Sequence, residues 1–217
     1  MSTLEYHLGE LAIAKSKNDP RRVMPTLPAK FDSILDLGCG AGQTLIGCDL
    51  SPQVFACGAD IDEEALRCGR QLSTQIHFVR AGGEALPFAA QTFDVVISRV
   101  AIPYMHIPTA LAEIARVLKP GGHIWFTLHS SALTRKWLWN ALRSGNVKGV
   151  IYQSYAVLNG LLLHWFGNQI RFPLNRARCE SFQTTRGITR ALQTAGFVRV
   201  QTELNEQFFV VTAVRQK

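Results

Sequence analysis

The sequence predicts an α/β protein built on a doubly wound sheet, and three observations predict it. The apolar run Ile34-Leu35-Asp36-Leu37 enters three alternating glycines, Gly38, Gly40 and Gly42, which is how a buried strand meets a tight ligand-binding turn. A second apolar run, Val54 to Ile61, carries an acid, Asp60, 18 residues past Gly42. Strand-like and helical patterns then alternate along the chain, as parallel sheets with crossover helices require. Strands are expected at 32–37, 54–60, 76–80, 93–98 and 122–129, followed by a closing pair at 197–204 and 208–215.

Each element has its own signal. Residues 3–16 pattern as a helix, and Asn18 to Pro28 is a proline-broken connection. The glycine turn needs residues without Cβ because its amides must approach a ligand closely. Its spacing is G-x-G-x-G. A dinucleotide fingerprint would place the third glycine at position 43, where Gln43 stands. A short helix is expected from Thr44 to Leu50. A carboxylate at the end of the second strand can accept both ribose hydroxyls of a nucleoside, whereas an acid at that point can also cap the helix Glu63 to Leu72. We assign capping to Asp62 and the ribose to Asp60. After Thr184 a helical pattern (Ile188, Leu192, Ala195) stops at Gly196, which suits a left-handed helix end.

The turn, with Asp36 two residues ahead of its first glycine, resembles motif I of class I S-adenosylmethionine (SAM) methyltransferases. Three later stretches extend the likeness: Gly83-Glu84-Ala85-Leu86-Pro87-Phe88, then Thr92 to Ser98, then Glu113 to Gly122. Together they resemble the type-11 methyltransferase domain of ubiquinone and menaquinone biosynthesis, over residues 31 to about 130. The resemblance implies a Rossmann-like sheet of seven strands, the last antiparallel, with a helical lid inserted between strands five and six. It also implies SAM as cofactor and S-adenosylhomocysteine as product. The residues expected to hold the cofactor are Asp36, Gly38, Cys39, Gly40 and Gly42 in the turn, Asp60 and Ile61 after strand two, Gly83, Glu84, Ala85 and Leu86 after strand three, and Ser98 and Arg99 at the end of strand four. One position departs from the family. Where an aspartate accepts from the adenine amine, this chain has Gly82, so either Glu84 reaches the base or stacking by Ile61 and Leu86 and backbone contacts hold it.

Composition sets the bounds. With 217 residues, 47% of them hydrophobic, the chain can bury one sizeable core and reads as a single domain. We divide it into a cap segment (1–30), a SAM-binding core (31–130), a lid or substrate insertion (131–183) and a final helix with a strand pair (184–217). Five cysteines without a C-x-x-C pair read as reduced thiols of a cytoplasmic protein, with no metal site. The most apolar stretch, Val150 to Phe166, is broken by Gln153, Asn159 and His164, so no transmembrane span is expected and any membrane contact would be peripheral. A monomer or homodimer fits the length.

The insertion holds what the minimal fold lacks. Ile151, Tyr155, Leu158, Leu162 and Trp165 recur at helical spacing, either as a helix packed on the core or as a lid over a flat or greasy acceptor. Residues 131–200 carry ten Lys or Arg and one acid, Glu180, a local charge of +9 against +7 for the whole chain. A solvated face, an attractor for an anionic small acceptor, and a nucleic-acid or membrane footprint compete as readings. Tyr155, Trp165, Arg171 and Arg176 are the named lid residues. Methyl transfer needs a base only if the acceptor must lose a proton, and the candidates are Tyr104, His106 and His129. SAM-dependent methylation of a small or amphipathic acceptor (quinone-, phenol- or lipid-like) is the reading taken. An RNA methyltransferase using the basic insertion and a non-catalytic module that binds SAM or S-adenosylhomocysteine are the alternatives.

Overall fold

The computed structural model describes residues 3–176, 178–204 and 209–217. Seven strands form one sheet: β1 (Ser33–Leu37), β2 (Phe55–Asp60), β3 (Ile76–Arg80), β4 (Phe93–Arg99), β5 (Leu118–Leu128), β6 (Phe197–Leu204) and β7 (Phe209–Arg215). Their order is β3-β2-β1-β4-β5-β7-β6. Neighbours among β1 to β5 are parallel, and β7 is antiparallel to both β5 and β6. The chain leaves β1 toward β2 on one side and returns to β4 on the other, so β1 and β4 flank the topological switch point.

The helices are α1 (Thr3–Lys15), α2 (Gln43–Gly47), α3 (Glu63–Leu72), α4 (Ile107–Val117), α5 (Ser131–Arg143), α6 (Val147–Phe166) and α7 (Thr185–Thr194). Asp62 caps α3 as expected, accepting from the amides of Glu64 (2.9 Å) and Ala65 (3.3 Å). Thr184 caps α7 and Gly196 follows it with φ 86°. Two boundaries differ from expectation. α2 stops at Gly47 because Asp49 takes a left-handed φ of 50°. β5 starts at Leu118 rather than 122, because Leu118 pairs with Phe93 before a register shift. Phe208, expected to open the last strand, lies outside the described residues.

Strand alternation sorts the core into two faces. Leu35, Leu37, Val96 and Phe126 face one cluster, which also takes Leu163 of α6 and Ile188 and Leu192 of α7. Ile34, Val95, Ile97 and Trp125 face the other, with Leu45 of α2. The same period places Asp36, Arg99 and Thr127 on this second face, at the carboxyl ends of β1, β4 and β5; Arg99 and Thr127 are register partners.

Candidate active site

The glycine turn is tied to the end of β2. Gly38 N donates to Ala59 O at 2.7 Å, and Gly40 N donates to Asp60 Oδ2 at 2.8 Å. Asp60 Oδ1 accepts from Asp62 N at 3.0 Å. Gly38, Gly40 and Gly42 have φ of 72°, 55° and 77°. At Gly38 space is limiting as well: a Cβ there would stand 2.1 Å from the Cβ of Ala101, just past β4. The turn is therefore closed against the exit of β4, with Asp60 at its rim. Cys39 is buried within it, and desolvation pushes its thiol far above the usual range, so it is not a nucleophile.

Beneath this turn the strand ends carry polar atoms with no partner. Asp36 is 1% exposed, and neither carboxylate oxygen has a hydrogen bond among the described residues. Burial raises its pKa to about 7, opposed by the charge of Arg99. Thr127 Oγ1 and His129 Nδ1 are likewise buried and unpartnered. His129 sits edge-on between Tyr104 and Trp137, each ring centroid 5.1 Å away. Desolvation lowers its pKa to about 4, so its imidazole is neutral at pH 7.

The cover over this row is α1. Glu10 pairs with Arg99 at 2.7 Å, and buried His7 meets Gln43 Nε2 at 2.6 Å while standing against Gly40. Between α1 and the ends of β4 and β5 lies a cavity of about 390 Å³, lined among others by Tyr6, Glu10, Arg99, Thr127, His129 and Leu133. Three larger clefts are present: two of about 560 and 500 Å³ lie lower on the sheet, and one of about 550 Å³ runs along α1. Their walls hold none of the unpartnered buried polar atoms, so the smaller cavity is the built one.

Other expected site residues are committed to structure. Ser98 is fully buried, and its hydroxyl donates to Leu37 O at 2.7 Å, fastening β4 to β1. Glu84 accepts from His106 N at 2.8 Å and pairs with Arg171, so both its oxygens are engaged. The adenine position thus has Glu84 beside it, turned to other partners. Leu86 is a core residue whose amide donates to Glu113, whereas Ile61 is 70% exposed and stands 3.7 Å from where a Gly82 Cβ would be. Of the expected adenine sandwich only Ile61 offers a free face. Gly83 packs against Leu37 and Met105, and Ala85 N closes its turn on Gly82 O. His106 precedes α4, its ring nitrogens directed to Thr109 Oγ1 (2.8 Å) and Gln169 O (3.3 Å).

The named lid residues do not line the cavity. Tyr155 is buried within the insertion and donates to Ile170 O at 2.8 Å. Trp165 is exposed beneath the Arg186 guanidinium, and Arg171 Nη1 donates to Arg176 O at 3.3 Å. Their placement has a physical cause. Chain order fixes only the ends of the insertion at the sheet's carboxyl edge, and α6 packs instead toward α7 on the opposite face. The insertion reaches the cavity through α5, with Leu133 in its wall and Trp137 against His129. Sequence reasoning missed Thr127, Tyr6, His7 and Glu10. Thr127 could have been found as the only hydroxyl among the last residues of β5, facing the same way as Arg99.

Residues 35–126 match the methyltransferase-domain family Methyltransf_11. Among curated proteins, a malonyl-[acyl-carrier protein] O-methyltransferase of Enterobacter lignolyticus is 33% identical over 112 residues, 48% of this chain and 42% of that one. A phthiotriol/phenolphthiotriol dimycocerosates methyltransferase of Mycobacterium leprae is 38% identical over 96 residues, 42% of this chain and 35% of that one. The match thus spans less than half the length of either relative. A SAM-dependent methyltransferase of Thermotoga maritima, 18% identical, superposes with a TM-score of 0.58 over 99% of this chain and 91% of that one, which establishes the shared fold. The match over residues 35–126 and the shared methyltransferase fold agree with the glycine turn, the acid at the end of β2 and the antiparallel β7.

Proposed function

We propose that the chain binds SAM across the glycine turn and methylates a small, amphipathic acceptor held in the cavity between α1 and the ends of β4 and β5. The observation that carries this reading is the row of unpartnered buried polar atoms, Asp36 beside the turn and Thr127 and His129 in the cavity wall. Buried polar groups without partners are destabilising unless something binds them. SAM suits the first, because its amino group is a cation that Asp36 can accept from, while Asp60 has lone pairs left for ribose hydroxyls after its two amide bonds. Bound there, it supplies an activated methyl group on a sulfonium. The protein has then to orient the acceptor and exclude water. Thr127 Oγ1 and neutral His129 would hydrogen-bond the polar end of the acceptor, Leu133 and Phe209 would take its apolar part, and α1 would keep water out. A neutral imidazole can also receive the proton of a phenol or enol, the role we assign to His129; Tyr104 stands against it, and His106, engaged elsewhere, is set aside.

The names of the two relatives, a malonyl-[acyl-carrier protein] O-methyltransferase and a phthiotriol/phenolphthiotriol dimycocerosates methyltransferase, support an organic acceptor. Isothermal calorimetry with SAM and S-adenosylhomocysteine, followed by methyl incorporation into quinols, phenolic acids, lipid extracts and RNA, tests the reading. Binding with incorporation into an organic acceptor, lost in Thr127→Val with SAM affinity kept, supports it. Incorporation only into RNA, or tight product binding with no incorporation anywhere, rejects it.

A further inference from the structure

The outer side of the insertion combines two features that separate elsewhere in the molecule. Of the eighteen large apolar side chains exposed among the described residues, ten fall between Trp139 and Leu174, a sixth of the chain. On α6, the residues Val147, Ile151, Ser154, Leu158, Leu161 and Trp165 are all exposed. At 100° per residue they fall within about 40° of one line, and at 1.5 Å per residue the line runs about 27 Å. Five of the six are apolar. The opposite side of α6 is apolar too, with Ala156, Gly160 and Leu163 buried. A helix apolar all round is stable in water only if both sides are covered.

Charge says what covers the free side. Every acid is missing from the surface of residues 131–200, because Glu180 is buried at 4% exposure. Arg143 and Lys148 stand exposed at one end of the stripe, Arg135 and Lys136 are exposed on the neighbouring α5, and Arg186 lies over Trp165 at the other end, 4.9 Å from its ring. Tryptophan beside arginine at the margin of an aliphatic strip is the arrangement of helices that lie in a bilayer interface. No described helix is long and apolar enough to cross a membrane. We propose that the α5–α6 face is a peripheral docking surface for an anionic lipid bilayer, with α6 lying in the headgroup region and the basic residues at its margins on lipid phosphates. A second copy of the chain fits less well, since an isologous contact would bring Arg135, Lys136, Arg143 and Lys148 of two copies together without a carboxylate from either α5 or α6. Single-stranded RNA fits less well because four of the six stripe residues, Val147, Ile151, Leu158 and Leu161, are aliphatic and give bases nothing to stack on. The root of α5 adjoins the cavity through Leu133. The proposal stands apart from methyl transfer, and its test has no activity readout.

The test is co-sedimentation of the full chain with phosphatidylcholine vesicles, with and without phosphatidylglycerol, in low and high salt, together with tryptophan emission. Binding to the anionic vesicles, a blue shift of the emission and weakening by about tenfold in high salt are expected. Leu158→Glu should weaken binding at least tenfold, and Arg135→Ala and Lys136→Ala about fivefold each. Leu204→Glu, at an exposed apolar site on β6, should leave it unchanged. Circular dichroism establishes that the variants remain folded. Failure of the folded wild type to bind anionic vesicles overturns the proposal, as does equal binding by the Leu158→Glu and Leu204→Glu variants. It is equally overturned if Leu158→Glu dissociates a homodimer that shows no vesicle binding, or if the face retains RNA and not lipid.

Discussion

The carboxyl edge of the sheet and the insertion that follows β5 are opposite in construction. At the edge, polar atoms are buried in apolar surroundings and lack partners: both oxygens of Asp36, Oγ1 of Thr127, Nδ1 of His129. In the insertion one buried side-chain atom, Gln153 Oε1, lacks a partner among the described residues, while the network around Asn159 and Gln169 is satisfied. Asn159 donates to Glu180 O at 3.0 Å and accepts from Ile170 N at 2.8 Å, and Gln169 accepts from Ile107 N at 2.6 Å while donating to Ser181 Oγ at 2.6 Å. Apart from that one oxygen, what the insertion leaves unpartnered is apolar and outside. An incomplete set of hydrogen bonds points to a ligand small enough to enter, whereas uncovered apolar area points to a surface. Substitutions at the edge should therefore act on ligand binding or on the response to pH, and substitutions on the outer face of α6 should touch neither.

The largest effect should come from the turn. Gly38→Ala combines a left-handed φ with a Cβ 2.1 Å from that of Ala101, so a loss of about 3 kcal/mol or more in urea unfolding is expected, together with loss of SAM binding. Leu158→Ser on the outer face of α6 should change stability by less than about 0.5 kcal/mol. Similar losses from the two would erase the contrast. Next, Asp60→Ala should weaken SAM binding by about 1–3 kcal/mol, because ribose hydroxyls lose a charged acceptor and Gly40 N loses its partner. Calorimetry showing full affinity in that variant would place the ribose elsewhere.

The sequence displayed most of the edge and little of the insertion. Glycine spacing, Asp36 and Asp60 are legible because a turn at a strand end is local: three glycines and one acid must occur at fixed offsets whatever the rest of the chain does. The cap of α3 by Asp62 and the stop of α7 at Gly196 were legible for the same reason. Which residues face the cavity is not local. Thr127 belongs to it because β5 pairs with β4 in a register that puts it beside Arg99, and Glu10 because α1 folds back over that pair. Tyr155 and Trp165 share a helical stripe in the sequence, yet one is buried and the other exposed, since periodicity gives the angle between side chains and not the face that meets the core.

His129 offers a pH test of the edge. Its folded pKa of about 4 lies below the unfolded value of 6.5, so between those values the unfolded chain binds a proton that the folded chain does not. This group's share of stability is intact above pH 6.5 and is lost as the pH falls toward 4. By pH 5 the loss should be about 2 kcal/mol. Urea unfolding at pH 7 and pH 5 measures it, and His129→Phe, which keeps an aromatic ring between Tyr104 and Trp137, should remove that part of the acid sensitivity. Equal acid sensitivity in wild type and variant would show that the imidazole is solvated.

Asp36 gives the smallest and most specific signal, and with the opposite sign. Its folded pKa of about 7 lies above the ordinary 3.8, so the unliganded protein carries a proton there that the unfolded chain has released, and this group's contribution to stability is lost as pH rises from 3.8 to 7. A ligand cation beside the carboxylate reverses the balance by favouring the ionised form. SAM binding at pH 6 should then release close to one proton, and SAM affinity should rise with pH up to about 7, by at most about 1.4 kcal/mol per pH unit, before levelling off. Calorimetry in buffers of different ionisation enthalpy counts the proton directly. In Asp36→Asn the count should fall to near zero, while a count unchanged by that substitution would assign the released proton to another group and leave Asp36 outside the amino-group site.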